Sequence, residues 1–85
     1  MKILYTLGSP MSGEHGKALN GRVFYVKHDK ETDHAIFIGV DGTPIWETTT
    51  IRKKSHTKSG IIIYTNSMYH LMKVSAIIPT QREDQ

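Results

Sequence analysis

The stretch from His34 to Glu47, HAIFIGVDGTPIWE, carries the clearest fold signal in the chain. Two runs rich in β-branched and aromatic residues flank the dipeptide Asp41-Gly42. Asp-Gly between apolar runs favours a two-residue type I′ hairpin, because both central residues of that turn need a positive φ angle. The register then predicts that Phe37 lies opposite Trp46, a cross-strand aromatic pair of the kind that stabilises sheets.

Segments on both sides of this hairpin show the same period-two alternation, and no long segment has helical spacing. The other predicted strands are KILYTLG, RVFYVKH, GIIIYT and MYHLMKVSAII, and PIWE extends to PIWETTTIRK. A second hairpin is predicted around Asn66-Ser67, with Tyr64 opposite Tyr69. The same arithmetic pairs Ile38 with Ile45, Ile61 with Met72, Ile62 with Leu71 and Ile63 with His70. The expected fold is all-β, a small antiparallel barrel or sandwich of five to six strands built from two or three hairpins.

Both faces of the predicted hairpins carry apolar side chains. Ile36, Ile38 and Val40 lie on one side, whereas Phe37 and Trp46 lie on the other. The outer face of an isolated antiparallel sheet is normally polar. We therefore expect the long loop SPMSGEHGKALN or a second copy of the chain to cover the outer face, and a homo-oligomer is favoured.

Length and composition indicate one small, soluble domain. With 85 residues in the chain, residues 1–80 are expected to form a single β domain with a frayed tail at 81–85. There is no cysteine, which excludes disulfides and thiolate metal sites. The apolar stretch from Ile3 to Leu7 is too short for a secretion signal, and no run approaches the ~18 apolar residues of a membrane span. A cytoplasmic protein without a membrane partner is expected.

The segment from Ile51 to Gly60, IRKKSHTKSG, gathers positive charge between the two hairpins. It holds four of the eleven lysines and arginines and no acidic residue. Cations beside hydroxyl groups are typical of phosphate contacts, and a glycine lets the backbone approach closely. We predict a basic loop that binds phosphate groups; the alternative is a solvated connector. The predicted phosphate-binding residues are Arg52, Lys53, Lys54, His56 and Lys58.

Exposed aromatic side chains would complete such a site, because small β domains bind single strands by stacking bases beside a basic groove. Tyr64 and Tyr69 flank the second turn and are the predicted stacking residues. Phe37 and Trp46 are more typical of a core. The predicted function is a non-enzymatic binding module for an anionic partner, namely RNA, DNA or a nucleotide.

A second hypothesis is a protein-binding inhibitor or adaptor. The small size, the lack of a catalytic signature and the two-sided apolar strands resemble, in a general way, the small viral β proteins that phages make to bind host components. This resemblance implies a host protein as the partner. A homo-oligomer of this kind could also sequester a small anionic nucleotide between its chains. The basic segment would then steer the approach to an acidic surface.

Three kinds of chemical site are considered and not favoured. GSPMSGEHGK lacks the glycine and hydroxyl positions of a Walker motif, which Met11 and Ala18 occupy. HDKETDH brings two histidines and two aspartates near one turn, a set that could hold zinc, but turn chemistry already explains it. A metal-independent ribonuclease using His56 or His70 as base with Lys54 has no supporting spacing. No catalytic residue, metal or cofactor is predicted.

Overall fold

The structure, a computed structural model, describes residues 3–77. The predicted frayed tail at 81–85 lies outside the described residues. Within them, seven antiparallel strands form one sheet with two short helices. The strands are β1 (Tyr5–Leu7), β2 (Phe24–Asp29), β3 (His34–Gly39), β4 (Pro44–Thr50), β5 (Lys53–His56), β6 (Gly60–Tyr64) and β7 (Met68–Lys73). The helices are α1 (Gly13–Leu19) and α2 (Val74–Ile77).

The sheet has the strand order β4-β3-β2-β1-β7-β6-β5 and is strongly curled. Trp46 of β4 bonds Tyr69 of β7, and Lys54 of β5 bonds His28 of β2. Each pair is four strand positions apart, which would mean about 19 Å in a flat sheet at about 4.8 Å per strand. The curl therefore brings one face of the sheet onto itself, and this inner face encloses the core.

The all-β prediction is confirmed, whereas the barrel or sandwich of five to six strands is wrong. One open sheet holds seven strands, because the predicted strand PIWETTTIRK ends at Thr50 as β4 and the predicted basic loop contributes β5. A barrel would require a hydrogen-bonded ladder between β4 and β5, and residues 3–77 contain none. The short strand β1 joins the group β2–β3–β4 to the group β5–β6–β7.

The core lies on the inner face and is built around three aromatic rings. The ring centroids of Phe24 and Phe37 are 5.1 Å apart, and those of Phe37 and Tyr69 are 5.4 Å apart. The buried hydrophobic residues are Leu19, Phe24, Ala35, Phe37, Ile61, Ile63, Tyr69 and Leu71. Those on strands alternate at period two, because every second side chain of a strand points to the same face.

The first hairpin turns through three residues instead of the predicted two. The N–H of Gly39 donates to the carbonyl oxygen of Thr43 at 2.8 Å, and Gly42 donates to Gly39 at 2.9 Å. Of the two predicted turn residues only Gly42 has a positive φ, 89°, so the predicted type I′ turn is wrong. The Asp41 carboxylate accepts the backbone N–H of Thr43 at 3.0 Å, which lowers the pKa of Asp41.

A β-bulge compensates for the extra turn residue of the first hairpin. Phe37 pairs with Trp46, which confirms that part of the predicted register. Closer to the turn, Ile38 pairs with Pro44, so the predicted pairing of Ile38 with Ile45 is wrong. The irregularity lies between Phe37 and Ile38, and it restores the aromatic pair to its predicted position.

The second hairpin also has a three-residue loop, and here no bulge compensates. Thr65 donates its N–H to the Ser67 carbonyl oxygen, and the Thr65 hydroxyl accepts the N–H of Ser67. Tyr64 therefore pairs with Met68, and the predicted pairing with Tyr69 is wrong. The other observed pairs are Ile61 with Leu71, Ile62 with His70 and Ile63 with Tyr69, each one position from the prediction. A one-residue shift exchanges faces, so Tyr64 and Tyr69 lie on opposite sides of the sheet.

Helix α1 occupies part of the segment that was predicted as a long loop. The His15 ring packs on Trp46 with centroids 4.8 Å apart, and Leu19 enters the core. The Asn20 side chain accepts the N–H of Met11 at 2.9 Å and donates to its carbonyl oxygen at 2.8 Å. A helix of seven residues with two glycines is too short to be stable alone, so the contacts of His15, Leu19 and Asn20 stabilise it.

Candidate functional site

The predicted basic loop folds mostly as an edge strand. Lys53–His56 form β5, which pairs with β6 alone among the described strands. The N–H of Arg52 extends this pairing by donating to the carbonyl oxygen of Tyr64 at 2.7 Å. At the other end, Thr57 and Gly60 exchange two hydrogen bonds, each of 2.9 Å. A polar strand of four residues has no apolar alternation of its own, so pairing with the isoleucine-rich β6 decides its conformation.

Successive side chains of β5 point to opposite faces of the sheet. Lys53 pairs with Tyr64, which lies on the outer face. Lys54 pairs with Ile63, which is buried on the inner face. The structure therefore does not bring the predicted phosphate-binding residues together as one cluster.

Four residues at one end of β5 and β6 form a surface cluster, here called the Tyr64 patch: Arg52, Lys53, Tyr64 and Asn66. The ammonium of Lys53 lies 5.6 Å from the centroid of the Tyr64 ring, a cation–π distance. Arg52 Nη2 donates to Asn66 Oδ1 at 3.2 Å. Tyr64 is half-buried and the other three are exposed. The patch thus places two cations and one ring at the surface without an acidic member.

Tyr69, the other predicted stacking residue, is only 2% exposed. Its hydroxyl accepts the indole N–H of Trp46 at 3.0 Å, and its ring packs edge-on against Phe37. Burial raises the pKa of Tyr69 from its ordinary value of 10.0. The predicted stacking role does not fit this position, because the shifted hairpin register turns Tyr69 into the core.

Lys54 contacts His28, which in turn contacts Asp33. Lys54 Nζ lies 3.0 Å from His28 Nδ1, and His28 Nε2 lies 2.5 Å from Asp33 Oδ1. An ammonium has only donors, so Lys54 donates to Nδ1, and the neutral imidazole donates its Nε2–H to Asp33. The sequence grouped His28 with Asp33 near one turn, but it did not indicate the contact with Lys54, because that contact depends on the curl that brings β5 to β2.

The remaining predicted residues lie at different places around β5. His56 and Lys58 are exposed, and Lys58 and Arg52 are at opposite ends of β5. The strand between them spans about 10 Å from the Cα of Lys53 to the Cα of His56, at about 3.4 Å per residue. Lys54 and His56 share a face, whereas His70 lies on the opposite face. The pair of His70 with Lys54 considered for a ribonuclease is therefore not assembled.

The two histidines of HDKETDH point to different faces. His28 contacts Asp33, whereas His34 Nδ1 lies 2.7 Å from Glu47 Oε2 on the outer face. His28 pairs with Ala35, whereas His34 pairs with Asp29, one position along the β2–β3 ladder. Because side chains alternate along a strand, the two histidines lie on opposite faces of the sheet. Within residues 3–77, no group of three or more histidine or acidic side chains is arranged to hold a metal.

The cations of residues 52–58 are not neutralised by carboxylates in the described part of the chain. Three contacts between a basic side chain and a carboxylate are present there: Lys17 with Glu14, His28 with Asp33, and His34 with Glu47. None of them includes a residue of the segment 52–58. These cations can therefore accept an anion from outside the chain.

Neither helix described in residues 3–77 is long and apolar enough to cross a bilayer, since they have seven and four residues. No protein-family model, no curated protein and no solved structure matches this chain.

Proposed function

We propose that the chain is a non-enzymatic binding module for an anionic partner, and that the Tyr64 patch binds single-stranded nucleic acid. The observation that carries this proposal is the Lys53 ammonium, 5.6 Å from the Tyr64 ring centroid, with the preceding residue Arg52 bonded to Asn66. Neither cation has a carboxylate partner within residues 3–77. A ring in contact with one cation and close in the chain to a second suits a single strand, whose bases stack and whose phosphates pair with positive charge.

The cation–π contact between Lys53 and Tyr64 does not block stacking. At an exposed site such a contact contributes about 0.5–1 kcal/mol. Stacking of a base on an aromatic ring contributes about 1–3 kcal/mol. A base can therefore displace the ammonium from the Tyr64 ring, and the flexible lysine stem allows it to reach the adjoining phosphate instead.

Arg52 is held in a position that suits phosphate. Its bond to Asn66 uses one of the five guanidinium N–H groups and restrains the planar head. The other donors remain sufficient for a two-pronged contact to phosphate oxygens. With one ring and two cations, the patch is expected to hold about two nucleotides with little sequence preference.

The test is a fluorescence-anisotropy titration of labelled single-stranded oligonucleotides at low salt. Tyr64→Leu keeps an apolar side chain but removes the ring, and it should weaken binding about five- to tenfold. Lys53→Met should weaken it by a similar factor. Lys54→Met is the matched control, because it makes the same charge change on the other face of β5, and it should have little effect.

Two results would contradict the proposal. One is the absence of binding by the unmodified protein at low salt. The other is an equal loss in Lys53→Met and Lys54→Met, which would indicate general charge attraction without a defined patch.

A second candidate function is docking of a second copy of the chain through the outer face. A groove of about 660 Å³ includes the outer-face residues Ile38 and Val40 in its lining. Val40 is 66% exposed and Ile3, in the same groove, is 44% exposed. Lys27 and Asp41 also line it, so a two-fold arrangement would oppose Lys27 with the partner's Asp41. Apolar surface with self-complementary charge supports a symmetric dimer.

Sedimentation over a range of protein concentrations tests this second candidate. The unmodified protein should form dimers as its concentration rises into the millimolar range. Val40→Lys, which puts a charge at an exposed position in the groove lining, should remain monomeric. A monomer at every concentration would contradict the dimer.

A further inference from the structure

A cavity of about 170 Å³ lies on the inner face of the sheet, beside the Asp33–His28–Lys54 chain. Most of its lining is apolar or aromatic: Tyr5, Val26, Ala35, Ile51, Ile61 and Ile63. His28 and Lys54 complete it. The cavity is therefore an apolar space with one cation in its lining.

The volume of the cavity sets the size of a ligand. An engineered apolar cavity of about 150 Å³ in another protein is known to hold benzene. The present cavity is slightly larger, so a six-membered carbon ring or a short branched chain would fit. A lining of isoleucine, valine and alanine side chains favours a ligand whose body is apolar.

Lys54 retains hydrogen-bonding capacity for such a ligand. Its ammonium has three N–H donors, and His28 accepts one of them. The Asp33 carboxylate binds the opposite nitrogen of the same ring and makes no ion pair with Lys54. The neutral imidazole thus separates the two charges. Two donors and one positive charge remain for an anionic head group.

The turn that carries Asp33 holds this arrangement in place. Asp33 has a φ of 61°, in the left-handed region that few residues other than glycine adopt. Its N–H donates to Asp29 at 2.7 Å, and its carbonyl oxygen accepts the N–H of Ile51 at 2.8 Å. Ile51 also lines the cavity. Uncommon backbone conformations persist where the surroundings determine them, often at binding sites.

We propose that this cavity binds a small monocarboxylate with an apolar body, such as an aromatic or short branched-chain acid. The carboxylate bonds Lys54, and the body packs against Ile61 and Ile63. The single cation matches a single negative charge, and the apolar lining excludes inorganic phosphate as a good ligand. This site uses the face of β5 opposite to the Tyr64 patch, so it does not depend on the proposed nucleic-acid binding.

The test is a titration of the isotope-labelled protein with benzoate, followed by amide chemical shifts in NMR spectra. Benzoate should shift the signals of Ala35 and Ile61 with a dissociation constant of the order of 1 mM. Benzyl alcohol has the ring without the charge, and phosphate has the charge without the ring. Each should bind at least about tenfold more weakly than benzoate, because benzyl alcohol lacks the charge that pairs with Lys54 and phosphate lacks the ring that packs in the cavity.

Two lysine variants test whether benzoate binds beside Lys54. Lys54→Met keeps the aliphatic stem and should weaken benzoate at least about tenfold, the effect of losing a charge-assisted hydrogen bond. Lys53→Met removes the same charge from the other face of β5 and should leave benzoate affinity unchanged. Both lysines are exposed, so both variants should fold.

Three results would overturn the proposal: no benzoate-induced shifts at the cavity residues, phosphate binding as well as benzoate, or equal losses in both lysine variants.

Discussion

Lys53 and Lys54 are adjacent in the chain, and their side chains lie on opposite faces of strand β5. The Lys53 ammonium is over the ring of Tyr64, whereas Lys54 bonds His28 beside an apolar cavity. A strand separates neighbouring residues in this way, because its side chains alternate. Positive charge that is concentrated in the sequence is therefore divided between two surfaces. In a binding experiment, replacing one lysine is the matched control for replacing the other.

The salt dependence of nucleic-acid binding should be shallow. For single strands the slope of log K against log salt is about −0.7 per neutralised phosphate. Contacts from Arg52 and Lys53 alone predict a slope of about −1.4, and all four cations of residues 52–58 would predict about −2.8. Anisotropy titrations at several salt concentrations measure it. A slope near the steeper value would contradict binding by the Tyr64 patch alone.

The same two lysines should also protect an exposed sheet edge. β5 is an edge strand, and lysines on edge strands hinder pairing between the sheets of different molecules. Replacing Lys53 and Lys54 together by threonine keeps strand propensity and should increase aggregation, measured by light scattering during storage. Lys17→Thr, in helix α1, is the control for loss of charge. Equal scattering from both variants would contradict a role at the edge.

Gly60 should not tolerate a side chain. A Cβ atom at this position would overlap the carbonyl oxygen of Leu71 in the neighbouring strand. Gly60→Ala should lower the free energy of unfolding by about 3 kcal/mol, since backbone must move. Gly42→Ala meets open space and costs about 1 kcal/mol from its positive φ alone. Urea denaturation compares the two, and equal losses would exclude the close approach as the cause.

These hairpins show how far the sequence predicts the fold. The alternation around Phe37 and Trp46 predicts a hairpin correctly, because β-branched and aromatic residues favour a half-buried sheet. Both loops nevertheless have three residues, and local dipeptides did not indicate this. In the second loop the Thr65 hydroxyl bonds the N–H of Ser67, a side-chain contact that sets the length. One added residue then moved Tyr69 from the surface to the core.

The candidate sites were predicted only in part. Arg52, Lys53 and Tyr64 were identified from charge and residue type, and the structure pairs Lys53 with Tyr64 and bonds the Arg52 side chain to Asn66. The contact between Lys54 and His28 could not be predicted, because it joins strands that are neighbours only through the curl of the sheet. Curvature depends on twist, bulges and core packing together, and no short motif encodes it.

Stability should fall in alkaline solution because of Tyr69. Burial raises the pKa of Tyr69 above its ordinary value of 10.0. The folded protein therefore keeps the phenol proton where the unfolded chain releases it, so this contribution is complete below about pH 10 and is lost as the pH rises through the folded value. Urea unfolding across this range should show a smaller decline in Tyr69→Phe than in the unmodified protein.

The control for this alkaline effect is Tyr64→Phe, which removes a hydroxyl from the outer face. Its decline with pH should match that of the unmodified protein. At neutral pH, Tyr69→Phe also loses the bond from Trp46 and should be less stable by about 1 kcal/mol. Parallel declines in all three proteins would show that Tyr69 is not the source.

Strand β1 has three residues, yet within residues 3–77 it carries the backbone ladder that joins two meanders of three strands each. Each meander joins segments that are close in sequence, so each can form early and independently. Pairing Leu7 with Leu71 instead brings together the two ends of the described chain. Closing so long a loop lowers the conformational entropy of the chain before the contacts between β1 and β7 contribute any stability. The rate of folding should therefore be governed by the docking of β1 against β7, the one event that converts two preformed halves into a single cooperative structure.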